Sequence, residues 1–485
     1  MKFLLSIFFN LSIISGVHLQ ILNKPLEQFV SDPLLKNASI SFEIVALDND
    51  SVVSSYYSEK SLVPASTMKL ITTATALEVF GKDHQFLTTL AYDGTIDNNG
   101  LLAGNIHIIG SGDPTLGSKY FENQDFLIEW LKAVKDLGVT KINGRIIADA
   151  SCYSDEFVPS NWSWGDIGNY YGAGVTGISI YDNTVAFLFK SGKNIGDKTT
   201  ITSISPNIPH LAVKNEVISE NIRNDQAYIY GAPYSPLRIA RGAIPLNVSD
   251  FRVKASIHDP AFFTAIELNR MLNENNIQVS NDPTTIRILK EKDKPIDYDR
   301  TVFHKHLSSS LIEIINNVNL ISNNHYAEHI HRAVGGELDQ TVIPTAFSSS
   351  QSIKEYWANK GLNNSGFYMS DGSGLSRNNG VTASFLVDVL CYMKKNSAEF
   401  SEFLGSLAIS GKSGTLKYLG KGSILEGKLL AKSGSIQRVR SYAGYYRSNS
   451  GKLYAFAIIV NNYNCTGTEM KKRLEKLLIA EFQKM

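Results

Sequence analysis

The chain first alternates apolar and polar positions through SISFEIVAL, turns at DND and returns through SVVSSYY, so residues 39–57 predict a β-hairpin. The period then changes. In STMKLITTATALEVFG, Met68, Ile71, Thr75 and Val79 recur at helical spacing, with Pro64 just ahead of the run and Gly81 as its stop. From about 82 to 300 short strands alternate with turns, as in LLAGNIHIIG, SGDPTLGS and INGRIIADAS. The block 195–255 is rich in β-formers and turn residues without helical periodicity, and KEKDKPIDYDR (290–300) reads as a charged linker. Helices return after 305. SSSLIEIINNVN carries a capping box, Ser310 to Glu313, and an apolar stripe at Leu311, Ile314, Ile315 and Val318. HYAEHIHRAVGG predicts a second helix ending at its glycines, with ISNN between the two. GKLLAKSGSIQRVRSYAGYY and KLYAFAIIVNN predict adjacent strands with Gly451 in the turn. TEMKKRLEKLLIAEF closes the chain as an amphipathic helix with Met470, Leu474, Leu477, Leu478 and Phe482 on one face.

Composition narrows the class. A chain of 485 residues with 43% hydrophobic and 19% charged content is globular and long enough for two or three domains. The formal net charge of +1 gives no global basic field for nucleic acid or anionic lipid, and no run of like charges suggests a local one. MKFLLSIFFNLSIISG reads as a secretory signal, giving residues 1–20 as a removable leader and placing the protein outside the cytoplasm, in the periplasm or its equivalent. The apolar run from Phe3 to Ile14 is short for a membrane span, and no later stretch is long and apolar enough, so no integral membrane segment is expected after its removal. Cys152, Cys391 and Cys465 lie far apart, which rules out a disulfide scaffold, leaves one bridge open, and offers no metal-ligand spacing.

The chemistry begins at PASTMK. Ser66-Thr67-Met68-Lys69 is the one Ser-x-x-Lys in the chain, at the start of the predicted helix, so Lys69 falls one turn from Ser66 on the same face. A serine hydroxyl needs a base to become a nucleophile, and a neutral lysine can serve. Keeping a lysine neutral near pH 7, against an ordinary pKa of ~10.4, costs about 4–5 kcal/mol. Burial and a second cation both push that way, so the site predicts another lysine close by in space and a polar group to relay the proton. Lys432-Ser433-Gly434-Ser435 on an apolar strand supplies one, with Gly434 expected to let a ligand approach the backbone. Ser322-Asn323-Asn324, on the interhelical turn, supplies a hydroxyl and an amide. Lys-Ser-Gly also occurs at Lys412, but the apolar lead-in favours Lys432.

Ser-x-x-Lys, Ser-x-Asn and Lys-Ser-Gly in that order resemble the motifs of the penicillin-binding proteins. Ser66 and Ser322 lie more than half the chain apart, which narrows the resemblance to the D-alanyl-D-alanine carboxypeptidase/endopeptidase family (class C low-molecular-mass penicillin-binding proteins, peptidase family S13). SGDPTLGS, INGRIIAD, NWSWGDIGNYYGAG, DGSGLSRNN and AKSGS look like landmarks of that family, whose members mostly have Thr where this chain has Ser433. The resemblance implies an α/β (α+β) fold with a five-stranded-like antiparallel sheet between helices. It implies a catalytic domain from 21–82 and 300–485, split by a second domain at 83–175 and 250–299 and a β-rich third at 176–249. It also implies that Ser66 forms an acyl-enzyme with the penultimate D-Ala of peptidoglycan peptides. Lys69 would be general base, Ser322 and Lys432 proton relays, and Asn324 the group that orients the substrate amide. Backbone N–H groups of Ser66 and Ser435 would form the oxyanion hole. Ser433, Gly434 and Ser435 would line the substrate. Asp166, with Tyr171, Arg377 and Gln437, would recognise the amino group of a peptidoglycan diamino acid. β-Lactams would acylate Ser66. No cofactor or metal is implied: His325, His329 and His331 with Glu328 lack a His-Glu-x-x-His pattern and read as packing residues. The alternatives are a β-lactamase or esterase on the same fold, and a wall-binding protein without catalysis.

Overall fold

The computed structural model describes residues 20–122 and 125–485. All but the last residue of the expected 1–20 leader therefore lies outside the described residues. Among the described residues no helix is long and apolar enough to cross a membrane, and the three cysteines are free.

The hairpin forms as β1 (Ser39–Ala46) and β2 (Ser51–Tyr56). A single 3-10 turn, Ala65–Thr67, leads into α1 (Met68–Phe80), which stops at Gly81 with φ +73. The turn and α1 are followed, after the inserted segment, by α2 (Leu311–Leu320) and α3 (Asn324–Leu338). Then come α4 (Ala383–Asn396), β3 (Ala408–Ile409), β4 (Leu429–Ile436), β5 (Val439–Arg447), β6 (Leu453–Asn461) and α5 (Gly467–Phe482). These strands make one antiparallel sheet in the order β3-β4-β5-β6-β1-β2. It has six strands where five are expected, because Ala408–Ile409 adds a two-residue edge. That edge pairs only with Leu430 and Ala431, so β4 from Lys432 to Ile436 has no strand on its outer side among the described residues.

Both faces of the sheet are covered, which is why β6 reads as the unbroken apolar run YAFAIIV. Tyr445 and Ile459 pack with α1, α2, α3 and α4 on one face. Tyr446 and Ile458 pack with α5 and the N-terminal helix Lys24–Val30 on the other. Each fully buried Leu, Ile or Phe contributes roughly 1.5–3 kcal/mol to this arrangement.

The segment between α1 and α2 builds a separate core from Leu90 to Ile277. Its five-stranded sheet joins Leu87–Tyr92 to Thr301–Leu307, so strand pairing carries the inserted segment past the expected limit at 299/300. Phe251–Ser256 pairs with Thr184–Lys190, across the limit expected at 249/250. The expectation of strands and turns from 82 to 300 needs a correction. Phe126–Asp136 and Pro260–Glu274 are helices. The first packs Phe126, Leu127, Trp130, Leu131 and Val134 into this core, and the second is capped by Asp259, whose side chain accepts from Phe262 N.

Candidate active site

The turn that carries Ser66 is held open by its neighbours. Ala65 has φ +49, a left-handed conformation unfavourable for a residue with a Cβ. Thr67 Oγ1 donates to Pro64 O at 2.9 Å and Ser441 Oγ donates to the same carbonyl at 2.5 Å, so β5 fixes the turn from beneath. Ser322, on the α2–α3 turn, is also left-handed at φ +62. Both conformations present a hydroxyl to one cleft.

Lys69 is completely buried. Its Nζ donates to Asn324 Oδ1 and to Ser373 O, each at 2.6 Å, and lies 3.1 Å from Ser66 Oγ. Asn324 Nδ2 donates to Tyr171 O at 2.9 Å, which fixes the amide with its oxygen toward the lysine. A neutral amine has two N–H groups and one lone pair. Two carbonyl oxygens take the hydrogens, so the lone pair faces the Ser66 hydroxyl. Burial pulls the Lys69 pKa down to about 7, against the opposing pull of the Asp371 and Glu328 carboxylates. Lys432 is equally buried, and burial together with the Lys69 charge holds it well below its ordinary value. Its Nζ donates to Ser433 O at 3.1 Å. The second lysine foreseen from the chemistry is thus within electrostatic reach of the first.

The cleft above these amines has a volume of about 760 Å³. Ser66, Ser322, Asn324 and Ser435 line it. Asp166, Tyr171, Arg377 and Gln437 line the same cleft. Tyr171 Oη donates to Asp166 Oδ1 at 3.2 Å. Burial raises the Asp166 pKa, while the Tyr171 hydrogen bond and the Arg377 charge oppose the rise. Arg377 Nη1 donates to Gln437 O at 3.3 Å. Ser433 is turned aside, its Oγ donating to Thr415 Oγ1 at 2.8 Å. Gly434 departs from its expected reason. A Cβ there would stand 2.6 Å from Pro64 O and 3.0 Å from Ser66 N, so the close approach it permits is that of the Ser66 turn itself.

Three histidines on α3 are buried, and His329 has both ring nitrogens bonded while Nδ1 of His325 and of His331 has no hydrogen-bond partner among the described residues. His329 Nδ1 lies 2.8 Å from Gly112 O and its Nε2 2.8 Å from Ser179 Oγ. His325 shares Ser179 Oγ at 3.3 Å, and His331 Nε2 meets Ser350 Oγ at 3.0 Å. Burial lowers His325 and His331 to about 3, so both are neutral.

A model of the D-Ala-D-Ala carboxypeptidase 3 (S13) family matches residues 22–481. The chain belongs to the S13 family. It is 26% identical over 463 residues to a D-alanyl-D-alanine carboxypeptidase of Actinomadura sp. (strain R39), covering 93% of this chain and 82% of that one. It is 24% identical over 491 residues to the D-alanyl-D-alanine carboxypeptidase DacB of Haemophilus influenzae, covering 98% and 95%. The fold is similar to the crystal structure of penicillin binding protein 4 (dacB) from Haemophilus influenzae, with a TM-score of 0.80 at 23% identity over 93% of this chain and 98% of that one.

In this S13 chain several residues that organise the site escape motif reading. Ser373 acts through its carbonyl, which no side-chain pattern reveals. Asp371 and Glu328 lie beneath it. Glu328 accepts from Ser373 N at 2.7 Å and Gly372 N at 3.1 Å, and burial with the Asp371 charge raises its pKa to about 7. The stretch DGSGLSRNN is the available signal for this loop, and His329 beside Glu328 draws attention instead to metal binding.

Proposed function

We propose that this S13 protein is an exported serine DD-peptidase that removes the terminal D-Ala from peptidoglycan stem peptides through a Ser66 acyl-enzyme. The observation that carries the reading is the buried Lys69 amine, bonded to Asn324 Oδ1 and Ser373 O and 3.1 Å from Ser66 Oγ, which in its neutral form turns its lone pair to that hydroxyl. Ser66 Oγ attacks the carbonyl carbon of the penultimate D-Ala as its proton passes to Lys69. The N–H groups of Ser66 and Ser435 receive the oxyanion, each such donor being worth about 3–4 kcal/mol in transition-state stabilisation. Ser322 and Lys432 deliver a proton to the departing amine, and Asn324 orients the substrate amide. Water then cleaves the ester. The open outer edge of β4 offers backbone groups to an extended peptide. Asp166, with Tyr171, Arg377 and Gln437, takes the ammonium of the diamino acid. A cleft of about 760 Å³ leaves room for a cross-linked partner chain, which supports DD-endopeptidase action as well. Residues 1–20 direct export to an extracytoplasmic space such as the periplasm.

The test is a labelled penicillin. The wild type carries the label on Ser66 and releases D-Ala from a pentapeptide, while Ser66→Ala does neither. Rapid release of the bound penicillin would indicate a β-lactamase instead. D-Ala release that survives Ser66→Ala would overturn the mechanism.

A further inference from the structure

The loop Asp371–Arg377 carries two groups that meet different partners around the cleft. Ser373 O accepts from Lys69 Nζ at 2.6 Å, and Arg377 faces Asp166 and bonds Gln437 O. The loop also presses on the nucleophile's turn: a Cβ at Gly374 would lie 1.9 Å from Ala65 O. Its anchor is the buried Asp371 carboxylate. Oδ1 accepts from Gly374 N at 2.7 Å and Asn379 Nδ2 at 2.8 Å, and Oδ2 from Ser376 N at 2.5 Å. The fourth donor comes from the inserted segment, where Trp162 Nε1 donates to Oδ2 at 2.8 Å. Trp162 is itself buried, and it stands four residues before Asp166 on a short stretch that ends at Tyr171.

We infer that Trp162 is a positioning residue that fixes the spacing between Asp166 and Arg377, so that acylation of Ser66 depends on the charge of the substrate's side chain. The inference rests on the proposed DD-peptidase reading. The indole joins the segment bearing the anionic side of the recognition pocket to the loop bearing its cationic side. A carboxylate that has lost one of four donors in a dry site leaves its loop less defined. The segment bearing Asp166 loses its tie to that loop, so Asp166 drifts relative to Ser66, and an ammonium-bearing side chain gains no more than a neutral one. Ser373 O moves with the same loop, although Thr72 Oγ1, donating to Gly372 O at 2.7 Å, and Glu328 continue to hold it from α1 and α3. The loss therefore falls on discrimination more than on acylation itself.

Trp162→Phe keeps the ring and deletes the N–H. Its kcat and KM are measured with two peptides that differ only in whether the residue before D-Ala-D-Ala ends in a free or an acetylated amine. The expected result is at least a tenfold fall in the preference for the free amine, carried mostly by KM of that peptide, with penicillin labelling of Ser66 retained. A lowered melting temperature with the preference intact would overturn the inference. A second measurement uses the wild type, so that it stands whether or not the variant folds. Deuterium uptake of residues 371–380 is compared after acylation by two β-lactams whose side chains end in an ammonium or a neutral group. Slower uptake with the ammonium is expected, and equal uptake would overturn the coupling. Absence of labelling at Ser66 in the wild type would sink the functional reading instead, so the two failures are distinguishable.

Discussion

Lys69 and Lys432 bring two amines into a space that would not hold two ammonium ions, and their titration should govern both rate and stability. With Lys69 as the proposed base, the rate of penicillin acylation should rise with pH through a limb centred near pH 7. Glu328 raises the Lys69 pKa by its charge, so Glu328→Gln should move that limb to lower pH. A limb that stays in place would argue that Lys69 is not the base. Lys432 has a folded pKa below its unfolded value. Between the two values the unfolded chain binds more protons, so stability rises with pH across that window, and the cost of the buried amine is largest below it. Lys432→Met should therefore stabilise the protein at neutral pH, by about 1–4 kcal/mol, while slowing acylation. Calorimetry at pH 7 and above pH 10 checks this, since the gain should shrink at the higher pH. A depressed pKa at Lys69 was legible from the Ser66 and Lys69 spacing, but burial brings it about, and the charge coupling with the second lysine falls on Lys432. The carbonyl of Ser373 was not legible, since every residue has one and only the fold selects it.

At the level of elements, β4 lies against the Ser66 turn with no room to spare. A Cβ on Gly434 would meet Ser441 Oγ at 2.2 Å as well as Pro64 O at 2.6 Å. Gly434→Ala should cost about 1–3 kcal/mol in chemical denaturation. It should also slow penicillin acylation by about 100-fold, because the strand that carries Ser435 N is displaced from Ser66. An unchanged rate would mean that the strand does not set the oxyanion donors. Helix ends with chemical signals were readable: Glu313 Oε2 accepts from Ser310 N at 2.9 Å in the capping box, and Gly81 ends α1. The end of α3 was not. Gly335 and Gly336 lie inside it, because a Cβ at Gly335 would stand 2.4 Å from Ser349 Cα on the helix Ala346–Asn359. Close helix contact, rather than termination, places that glycine. The helix Pro260–Glu274 had its own start signal in Asp259-Pro260, concealed by the β-rich stretch before it.

For the whole molecule, α3 is the joint between the two cores. Tyr326 is buried with α1 and α2, yet its Oη donates to Asp182 Oδ1 at 2.5 Å and meets Ser118 Oγ at 2.6 Å, both in the inserted segment. Arg332 Nη2 reaches Glu156 Oε2 at 2.9 Å across the same boundary. Tyr326→Phe should lower stability by about 1–3 kcal/mol, read from thermal unfolding, since it leaves Asp182 short of a donor in a buried place. A sequence shows where an insertion begins from motif spacing, but not which helix its core leans on, because that depends on contacts between residues far apart in the chain. The unsealed margin of β4 has a further consequence. Amide and carbonyl groups belong to the main chain, and apart from proline no replacement removes them. A lineage under β-lactam pressure has no simple route to tolerance by erasing this template, so escape mutations should concentrate in the walls around it, at positions such as Asp166 and Arg377.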